Sequence, residues 1–246
     1  MPKMRSKILL YKSLGETPLE CLKRFKMENP AYKDLPMTYA GRLDPMAEGL
    51  LLVLVGEECK KKEDYLYLSK EYEVEVLFGF ETDTSDILGK VTKTVNYPES
   101  LTPEKILEAL EKVKILPQRY PAYSSKTFEG KPLWKWAREG NIKEVGSNAK
   151  ITGIEFLGQR EIYGGDLLES IEERVLKVNG DFRQKDILDL WKEQIDLTDN
   201  YKILRFRIYS TGGAYMRVVA KYLGDALDIP SLAFSIKREK IGDYKY

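Results

Sequence analysis

The amino-acid sequence predicts an α+β domain, because segments with the period of strands are interspersed with segments that have the period of helices. Residues 71–78 alternate polar and apolar side chains, with Tyr72, Val74 and Val76 on one face, which is typical of a half-buried strand. Residues 106–113 place apolar side chains at helical spacing instead. With 246 residues, of which 43% are hydrophobic, the chain can bury a sizeable core as one domain.

The individual elements follow from local signals along the chain. A strand over 8–11 precedes a helix near 19–27, for which Thr17 is the predicted N-cap and Pro18 the first helical residue. The other predicted elements are a polar helix over 56–68, a helix from Thr102 to Pro117 with a core-facing stripe of Ile106, Leu107, Leu110 and Val113, a short helix over 132–138, strands over 150–162 and 203–210, helices near 167–178 and 184–194, and a helix from about 217 to 227.

Composition excludes several classes of site. The chain has no histidine, so Ser-His-Asp hydrolysis, Cys-His chemistry and histidine-based metal sites are impossible. Its two cysteines, Cys21 and Cys59, form no CxxC pair, which predicts neither a disulfide framework nor a zinc cluster. No apolar run approaches the roughly 20 residues that cross a bilayer. We therefore expect a soluble protein in a reducing cytoplasm, without a metal.

Charge is strongly segregated, although the net charge is only +1. Residues 161–200 contain 11 acidic and five basic side chains, a local charge of −6, so the remainder carries +7. Five cations and no acid lie between 202 and 224, namely Lys202, Arg205, Arg207, Arg217 and Lys221. Such a run predicts a surface that binds nucleic acid, although an ordinary solvated face is an equally good interpretation.

The stretch 38–49 presents one carboxylate, Asp44, in a turn framed by Gly41, Pro45 and Gly49. Proline disfavours the helical region for the residue before it, and glycine allows dihedral angles that other residues resist. Asp44 is therefore predicted to lie on a tight turn, backed by the apolar run that follows. From this stretch alone, plain structural punctuation is the commoner interpretation.

Two loops could hold a ligand but fit none well. Residues 79–89 contain several acids, yet glycine and glutamate are not at calcium-loop positions, which favours a rigid structural loop. Residues 211–217 form a glycine-rich turn into a helix, but the dinucleotide and P-loop patterns are absent. We therefore expect no nucleotide cofactor.

Several short motifs, each present once, follow one another along most of the chain. They are Ala40-Gly41-Arg42-Leu43-Asp44-Pro45 with Gly49, Lys70-Glu71-Tyr72, Gly79 with Thr82-Asp83-Thr84-Ser85-Asp86 and Gly89, Pro121-Ala122-Tyr123-Ser124-Ser125-Lys126 with Gly130, and Ala214-Tyr215-Met216-Arg217. Together they resemble the TruB family of tRNA pseudouridine synthases. The Gly-Arg-Leu-Asp tetrad alone also suits the RluA family, but the Thr-Asp-Thr loop and the Tyr-Ser-x-Lys segment favour TruB.

The resemblance implies a fold and a reaction. The fold is a pseudouridine-synthase-type domain whose mixed, antiparallel-rich central sheet is flanked by helices. The reaction is the isomerisation of uridine to pseudouridine in the T-loop of tRNA, at position 55, without cofactor or metal. Asp44 matches the family's catalytic aspartate and Arg217 the arginine paired with it. A carboxylate can form a temporary covalent link without a second group to deprotonate it, and the arginine would keep it ionised and aimed.

The resemblance also assigns substrate contacts. Tyr72 matches the tyrosine stacked on the target base, Tyr215 lines the uridine pocket, and Ile236 is the expected pocket wall. Tyr39 stands where bacterial members have a histidine beside the flipped nucleotide, so its role is stacking or filling space.

The remaining expectations concern RNA docking and domain organisation. We expect RNA contacts from Lys70, Lys126, Trp134 and Arg138, with residues 120–140 closing on the RNA as a thumb. The chain is interpreted as a single, monomeric catalytic domain over 1–246, a short form without a C-terminal PUA domain. It carries an acidic helical insertion at about 164–200, and tRNA is its partner.

Two alternatives stay open at this point. The first is a pseudouridine synthase that acts on another RNA, such as ribosomal RNA. The second is a tRNA-folding chaperone that keeps the site residues and remodels RNA without catalysis.

Overall fold

The computed structural model describes residues 5–95, 102–115 and 117–245. Its strands are β1 (Lys7–Lys12), β2 (Met37–Tyr39), β3 (Ala47–Val55), β4 (Lys70–Phe78), β5 (Phe80–Thr82), β6 (Val91–Thr94), β7 (Thr127–Phe128), β8 (Lys131–Pro132), β9 (Ile151–Tyr163), β10 (Asn200–Ser210), β11 (Ser231–Ile241) and β12 (Tyr244–Lys245). Its α-helices are α1 (Pro18–Glu28), α2 (Lys62–Leu66), α3 (Pro103–Ile115), α4 (Leu133–Arg138), α5 (Gly164–Leu176), α6 (Gln184–Gln194) and α7 (Met216–Leu227), with 3-10 turns at Pro30–Tyr32 and Gly56–Lys61.

One mixed sheet forms the centre of the fold. Its main strands lie in the order β1-β3-β11-β4-β10-β9, with β2 paired to β3 and β12 to β11. The pairing of β3 with β11 is parallel, with Ile236 opposite Ala47, and the other pairs of this sheet are antiparallel. The predicted α+β fold with an antiparallel-rich sheet is therefore confirmed.

The two faces of the sheet are covered by different helices. Tyr72, Val74 and Val76 share one buried face, as predicted, in the same core cluster as apolar residues of α3 and α7. On the opposite face, Trp191 of α6 is fully buried and donates its indole N–H to the carbonyl of Ile87 at 3.2 Å. The acidic segment, residues 164–200, thus contributes two helices that pack against this face of the sheet.

The observed helices agree with some of the predictions and correct others. The capping box of α1, in which Thr17 and Glu20 bond reciprocally, confirms the predicted N-cap. Helix α5 begins at Gly164, three residues earlier than predicted, whereas α6 has the predicted bounds. Leu107 is 56% exposed, so its assignment to the core stripe of α3 is wrong, and Ala109 is buried instead.

The run of cations at 202–224 favours the second interpretation, an ordinary solvated face, because carboxylates pair with four of its five cations. Strands β4 and β10 are antiparallel neighbours, with Arg205 opposite Glu75 and Arg207 opposite Glu73, so each arginine also lies diagonally across from the preceding glutamate of β4. Arg205 pairs with Glu73 and Arg207 with Glu71, while on α7 Arg217 pairs with Asp44 and Lys221 with both Glu81 and Asp225. This run therefore presents no free row of positive charge to an RNA.

Candidate active site

The turn that carries Asp44 joins β2 to β3, and two glycines shape it. Gly41 and Gly49 have positive φ angles of 89° and 109°, as the sequence indicated. A Cβ at Gly49 would overlap the backbone of Arg238 on the neighbouring strand β11. The turn is therefore fixed against the centre of the sheet, and the Asp44 side chain is 30% exposed.

The side chain of Arg238 holds this turn in place through hydrogen bonds, a role that the sequence did not predict. Its guanidinium is buried and donates to the carbonyls of Leu50 at 2.7 Å, Arg42 at 3.1 Å and Gly41 at 3.4 Å. Burial lowers the pKa of Arg238. Three backbone groups on both sides of Asp44 are thus tied to one side chain, which limits the movement of the carboxylate.

Arg217 lies in the first turn of α7 and meets Asp44 directly. Its Nε donates to Asp44 Oδ2 at 2.7 Å, its Nη1 to the carbonyl of Thr84 at 2.8 Å and its Nη2 to the carbonyl of Tyr123 at 3.2 Å. Burial lowers the pKa of Arg217, but the charges of Asp44 and Asp86 outweigh this and leave it raised. The structure therefore brings the two predicted catalytic side chains together in one ion pair.

Asp86 is a second carboxylate on Arg217, and the sequence interpretation missed it. Its Oδ2 lies 3.5 Å from Arg217 Nε, while its Oδ1 accepts from Thr84 Oγ1 at 2.6 Å and from the backbone N–H of Leu88 at 3.0 Å. Burial raises the pKa of Asp86 to about 6. The loop 79–89, interpreted above as rigid structure only, thus also supports the arginine that faces Asp44. The Thr-Asp-Thr-Ser-Asp motif was the available signal.

A groove of about 940 Å³ opens beside Asp44. Three of the four predicted substrate contacts line it, namely Tyr72, Tyr215 and Ile236. Burial, with the charge of Asp44, raises the pKa of Tyr215 to about 12, so its hydroxyl stays protonated at neutral pH. The ring of Tyr120 meets Tyr215 edge-on at 5.8 Å between centroids. Aromatic faces, an aliphatic wall and the Asp44 carboxylate thus border a space large enough for a nucleoside.

The predicted RNA contacts divide into two kinds. Lys126 is exposed at the rim of this groove, with its Nζ 5.1 Å from the ring centroid of Tyr120. Lys70 also lines the groove but is 4% exposed, and its Nζ donates to the carbonyls of Leu66 and Leu68. Burial lowers the pKa of Lys70 to about 8. Lys70 therefore supports the wall of the groove, and its contact with RNA stays a prediction.

A second cavity, of about 530 Å³, lies on the other side of Asp44. Tyr39, Trp134 and Arg138 line it rather than the larger groove. Tyr39 is half-buried, and the cations of Arg42 and Lys62 lie 5.9 Å and 5.8 Å from its ring centroid. The nine other predicted site residues thus lie on two sides of the Asp44 carboxylate, rather than sharing one pocket.

The described residues contain no group of three or more acidic or cysteine side chains placed to hold a metal ion. Within the same residues, no helix is long and apolar enough to cross a membrane. Both cysteines are free thiols.

The family model described as "TruB family pseudouridylate synthase (N terminal domain)" matches residues 32–165, more than half of the chain. The chain belongs to the TruB family. This confirms the resemblance inferred from the motifs, and the matched range contains the Asp44 turn, the Asp86 loop and Tyr123.

Curated TruB relatives match nearly the whole chain. A tRNA pseudouridine synthase B of Bacillus cereus is 27% identical over 243 residues, which is 98% of this chain and 67% of the relative. The protein of the same name from Shewanella putrefaciens is 29% identical over 97% of this chain and 62% of the relative. The chain thus spans about two thirds of the length of these relatives.

Solved structures agree on the TruB-type fold. One is titled as the crystal structure of a Cbf5-Nop10-Gar1 complex, with a TM-score of 0.58 and 18% identity over 97% of this chain and 49% of that one. Another is titled as an H/ACA RNP bound to a substrate RNA containing 2'-deoxyuridine, with a TM-score of 0.53 and 16% identity over 97% and 48%. The chain spans about half the length of these proteins, and the likeness concerns the fold.

Proposed function

We propose that this chain isomerises uridine to pseudouridine in tRNA, by base flipping and covalent catalysis by Asp44. The observation that carries the proposal is the partly exposed Asp44 carboxylate, held at 2.7 Å by the buried guanidinium of Arg217 beside a nucleoside-sized groove. Membership of the TruB family supports the reaction class, and the name of the curated relatives supports tRNA as the substrate.

The reaction needs little beyond a placed nucleophile. The bond between the ribose C1' and N1 of uracil breaks, the base turns, and a bond from C1' to C5 forms. The proton on C5 is lost and N1 gains one, so the atoms of substrate and product are the same and no oxidant or reductant takes part. Asp44 forms a temporary covalent bond with the nucleotide between these steps. Arg217 donates to the carboxylate at 2.7 Å and orients it for attack.

The groove would receive the uridine after it leaves its stack. Tyr72 offers an aromatic face for the base, Tyr215 lines the pocket with a protonated hydroxyl, and Ile236 forms its wall. Lys126 lies at the rim, where an RNA phosphate would pass. Trp134 and Arg138 on the thumb, residues 120–140, would contact RNA beyond the second cavity, where Tyr39 stands.

The T-loop of tRNA, at position 55, is the proposed site of modification. The stem of the same arm is the proposed docking surface, and the protein acts as a monomeric single domain in the cytoplasm. The free thiols Cys21 and Cys59 agree with a reducing compartment.

The test is to incubate the purified protein with an unmodified tRNA transcript and to map pseudouridine chemically. We expect one modified uridine in the T-loop, and none in a transcript in which that uridine is replaced by cytidine. A ribosomal RNA fragment run in parallel tests the other substrate class. Modification of that fragment alone would contradict tRNA as the substrate, and RNA refolding without any pseudouridine would indicate a chaperone.

A further inference from the structure

The loop between α5 and α6, residues 177–183, reaches from the acidic segment to the second cavity. Asp181, Phe182 and Arg183 all line that cavity together with Asp44. Arg183 precedes α6 with φ 65° and ψ 26°, a left-handed conformation that is unfavourable for a residue other than glycine. Such a conformation persists only where surrounding contacts hold it, so the contacts of Arg183 indicate what it is for.

The Arg183 side chain joins two segments that are far apart in sequence. Its Nη1 donates to Asp83 Oδ2 at 2.6 Å and its Nη2 to Asp83 Oδ1 at 3.2 Å, which is a two-pronged ion pair. Its Nη1 also donates to the hydroxyl of Tyr123 at 3.0 Å, and the guanidinium carbon lies 4.5 Å from the centroid of that ring. The side chains of Arg183 and Asp83 are 20% and 22% exposed, so solvent screens this cluster only partly.

Both partners of Arg183 adjoin the backbone carbonyls that hold Arg217. The carbonyl of Thr84, the residue after Asp83, accepts from Arg217 Nη1 at 2.8 Å. The carbonyl of Tyr123 itself accepts from Arg217 Nη2 at 3.2 Å. Arg183 therefore links the two backbone segments whose carbonyls bind the Arg217 guanidinium.

We infer that Arg183 is a positioning residue for the reaction, which it serves by holding the Thr84 and Tyr123 carbonyls where Arg217 can aim Asp44. The inference rests on the proposed function, and it gives the acidic segment a part in catalysis. Arg183 touches neither Asp44 nor Arg217 by any hydrogen bond described above, so it acts through the backbone. A planar fork that stacks on a ring is needed here, and lysine cannot replace it fully.

A second contact from the same loop separates positioning from simple tethering of the thumb. Arg138 of α4 donates to Asp181 Oδ2 at 3.3 Å and to the Asp181 carbonyl at 2.7 Å. The side chain of Asp181 is 82% exposed, so this link is open to solvent and does not involve the carbonyls bound by Arg217. The thumb thus remains tethered through Arg138 when Arg183 is replaced. The effect of replacing Arg183 therefore reports on the carbonyls of Thr84 and Tyr123 that bind Arg217.

The experiment compares Arg183→Ala, Arg183→Lys and Asp83→Asn with a matched control, Arg160→Ala. Arg160 also forms a two-pronged pair, with Glu75 at 3.1 Å and 3.3 Å, but it lies on β9 away from both cavities. Turnover of the tRNA transcript gives kcat and KM, and thermal unfolding checks that each variant folds. We expect Arg183→Ala and Asp83→Asn to lower kcat by about 10- to 100-fold with KM within about threefold, since small misplacement of a reactive group has this effect. Arg183→Lys should lose less, and Arg160→Ala should retain wild-type kcat.

Unchanged kcat in Arg183→Ala and Asp83→Asn would overturn the inference, as would a rise in KM alone, which would make the loop an RNA contact. If Arg183→Ala does not fold, Arg183→Lys and Asp83→Asn decide by the same criteria.

An NMR measurement keeps this test separate from that of the function. We expect the Nε–H signal of Arg217 in the free protein to shift or broaden in Arg183→Ala but not in Arg160→Ala. An inactive wild-type protein would refute the proposed function, whereas an Arg217 signal that is unchanged in Arg183→Ala would refute the positioning role.

Discussion

Replacing Asp86 by asparagine should raise stability at neutral pH while it lowers kcat, and the structure gives a magnitude for the change in stability. The amide oxygen of asparagine can still accept from Thr84 Oγ1 and from the N–H of Leu88, as Asp86 Oδ1 does. The amide nitrogen, however, would face Arg217 Nε in place of an oxygen 3.5 Å away. The substitution therefore removes one ionisable group and one ion pair and keeps the local fold of the loop.

The magnitude follows from the two opposing contributions at Asp86. At 3.5 Å the attraction to Arg217 is worth about 5 kcal/mol with an effective dielectric constant of about 20. Burial opposes it and prevails, because the pKa of Asp86 rises from 3.8 to about 6. Above pH 6 the ionised carboxyl thus costs the folded state about 3 kcal/mol.

The sign of the pH dependence follows directly. Between pH 3.8 and about 6 the folded chain binds more protons at Asp86 than the unfolded chain, because the folded pKa is raised. Wild-type stability therefore falls through this window as pH increases. Asp86→Asn lacks this contribution, so its stability relative to wild type should rise from about zero at pH 4 to as much as about 3 kcal/mol at pH 7.

Urea unfolding of both proteins at pH 4.5 and pH 7 measures the difference, and turnover of tRNA at pH 7 measures the catalytic effect. We expect a kcat that is lower by about 10-fold or more in Asp86→Asn, since Arg217 loses a carboxylate that orients it. A stability difference that does not change with pH would refute the burial argument. Wild-type kcat would refute the role assigned to the second carboxylate.

Three further predictions follow from the fold and the groove. Gly49→Ala should lower the free energy of unfolding in urea by more than about 2 kcal/mol, because its Cβ would overlap the backbone of Arg238. Gly140→Ala, also at positive φ but with open space around the Cβ, should lower it clearly less. Equal losses in the two variants would contradict the clash. Tyr72→Leu should reduce kcat/KM by about 10- to 100-fold and Tyr72→Phe by less than about threefold, since a stacked base needs a ring; equal losses in steady-state assays would exclude stacking. Burial lowers the pKa of Lys70 to about 8, so between pH 7.5 and 9.5 the unfolded chain binds more protons than the folded one and the stability of the wild type should rise with pH. Lys70→Met should show a smaller rise in urea titrations over this range. The same rise in both proteins would contradict the shifted pKa.

Local signals predicted those parts of the fold that depend on neighbouring residues. The N-cap at Thr17 and the unusual dihedral angles of Gly41 and Gly49 are encoded within a few positions, and each is present. The buried face of β4 follows from strict alternation. Local patterns of this kind are available from the sequence because they need no knowledge of distant partners.

Other features depend on contacts between distant segments, and they were not predicted. Strand β11 was not identified as a strand, although it lies at the centre of the sheet between β3 and β4, because its charged residues 237–240 interrupt the apolar pattern. The pairing of Asp86 with Arg217 spans more than 130 positions. The two interpretations of the basic run at 202–224 stayed open for the same reason, since the glutamates that pair with Arg205 and Arg207 are on β4.

The candidate site was predicted in its residues better than in its arrangement. The motifs indicated Asp44 and Arg217, and the structure places them 2.7 Å apart. The Thr-Asp-Thr-Ser-Asp motif was a signal for Asp86, whereas Arg238 and Arg183 bond to groups of distant segments, so no spacing in the sequence marks those two arginines.

The central claim, that the Asp44 carboxylate performs the reaction, is tested most directly by Asp44→Asn. Pseudouridine formation and tRNA binding are measured side by side for wild type, Asp44→Asn and a control, Asp189→Asn, at an exposed position on α6. We expect Asp44→Asn to form no pseudouridine while it binds tRNA within about threefold of wild type, and Asp189→Asn to be fully active. Turnover by Asp44→Asn at the wild-type rate would contradict the account.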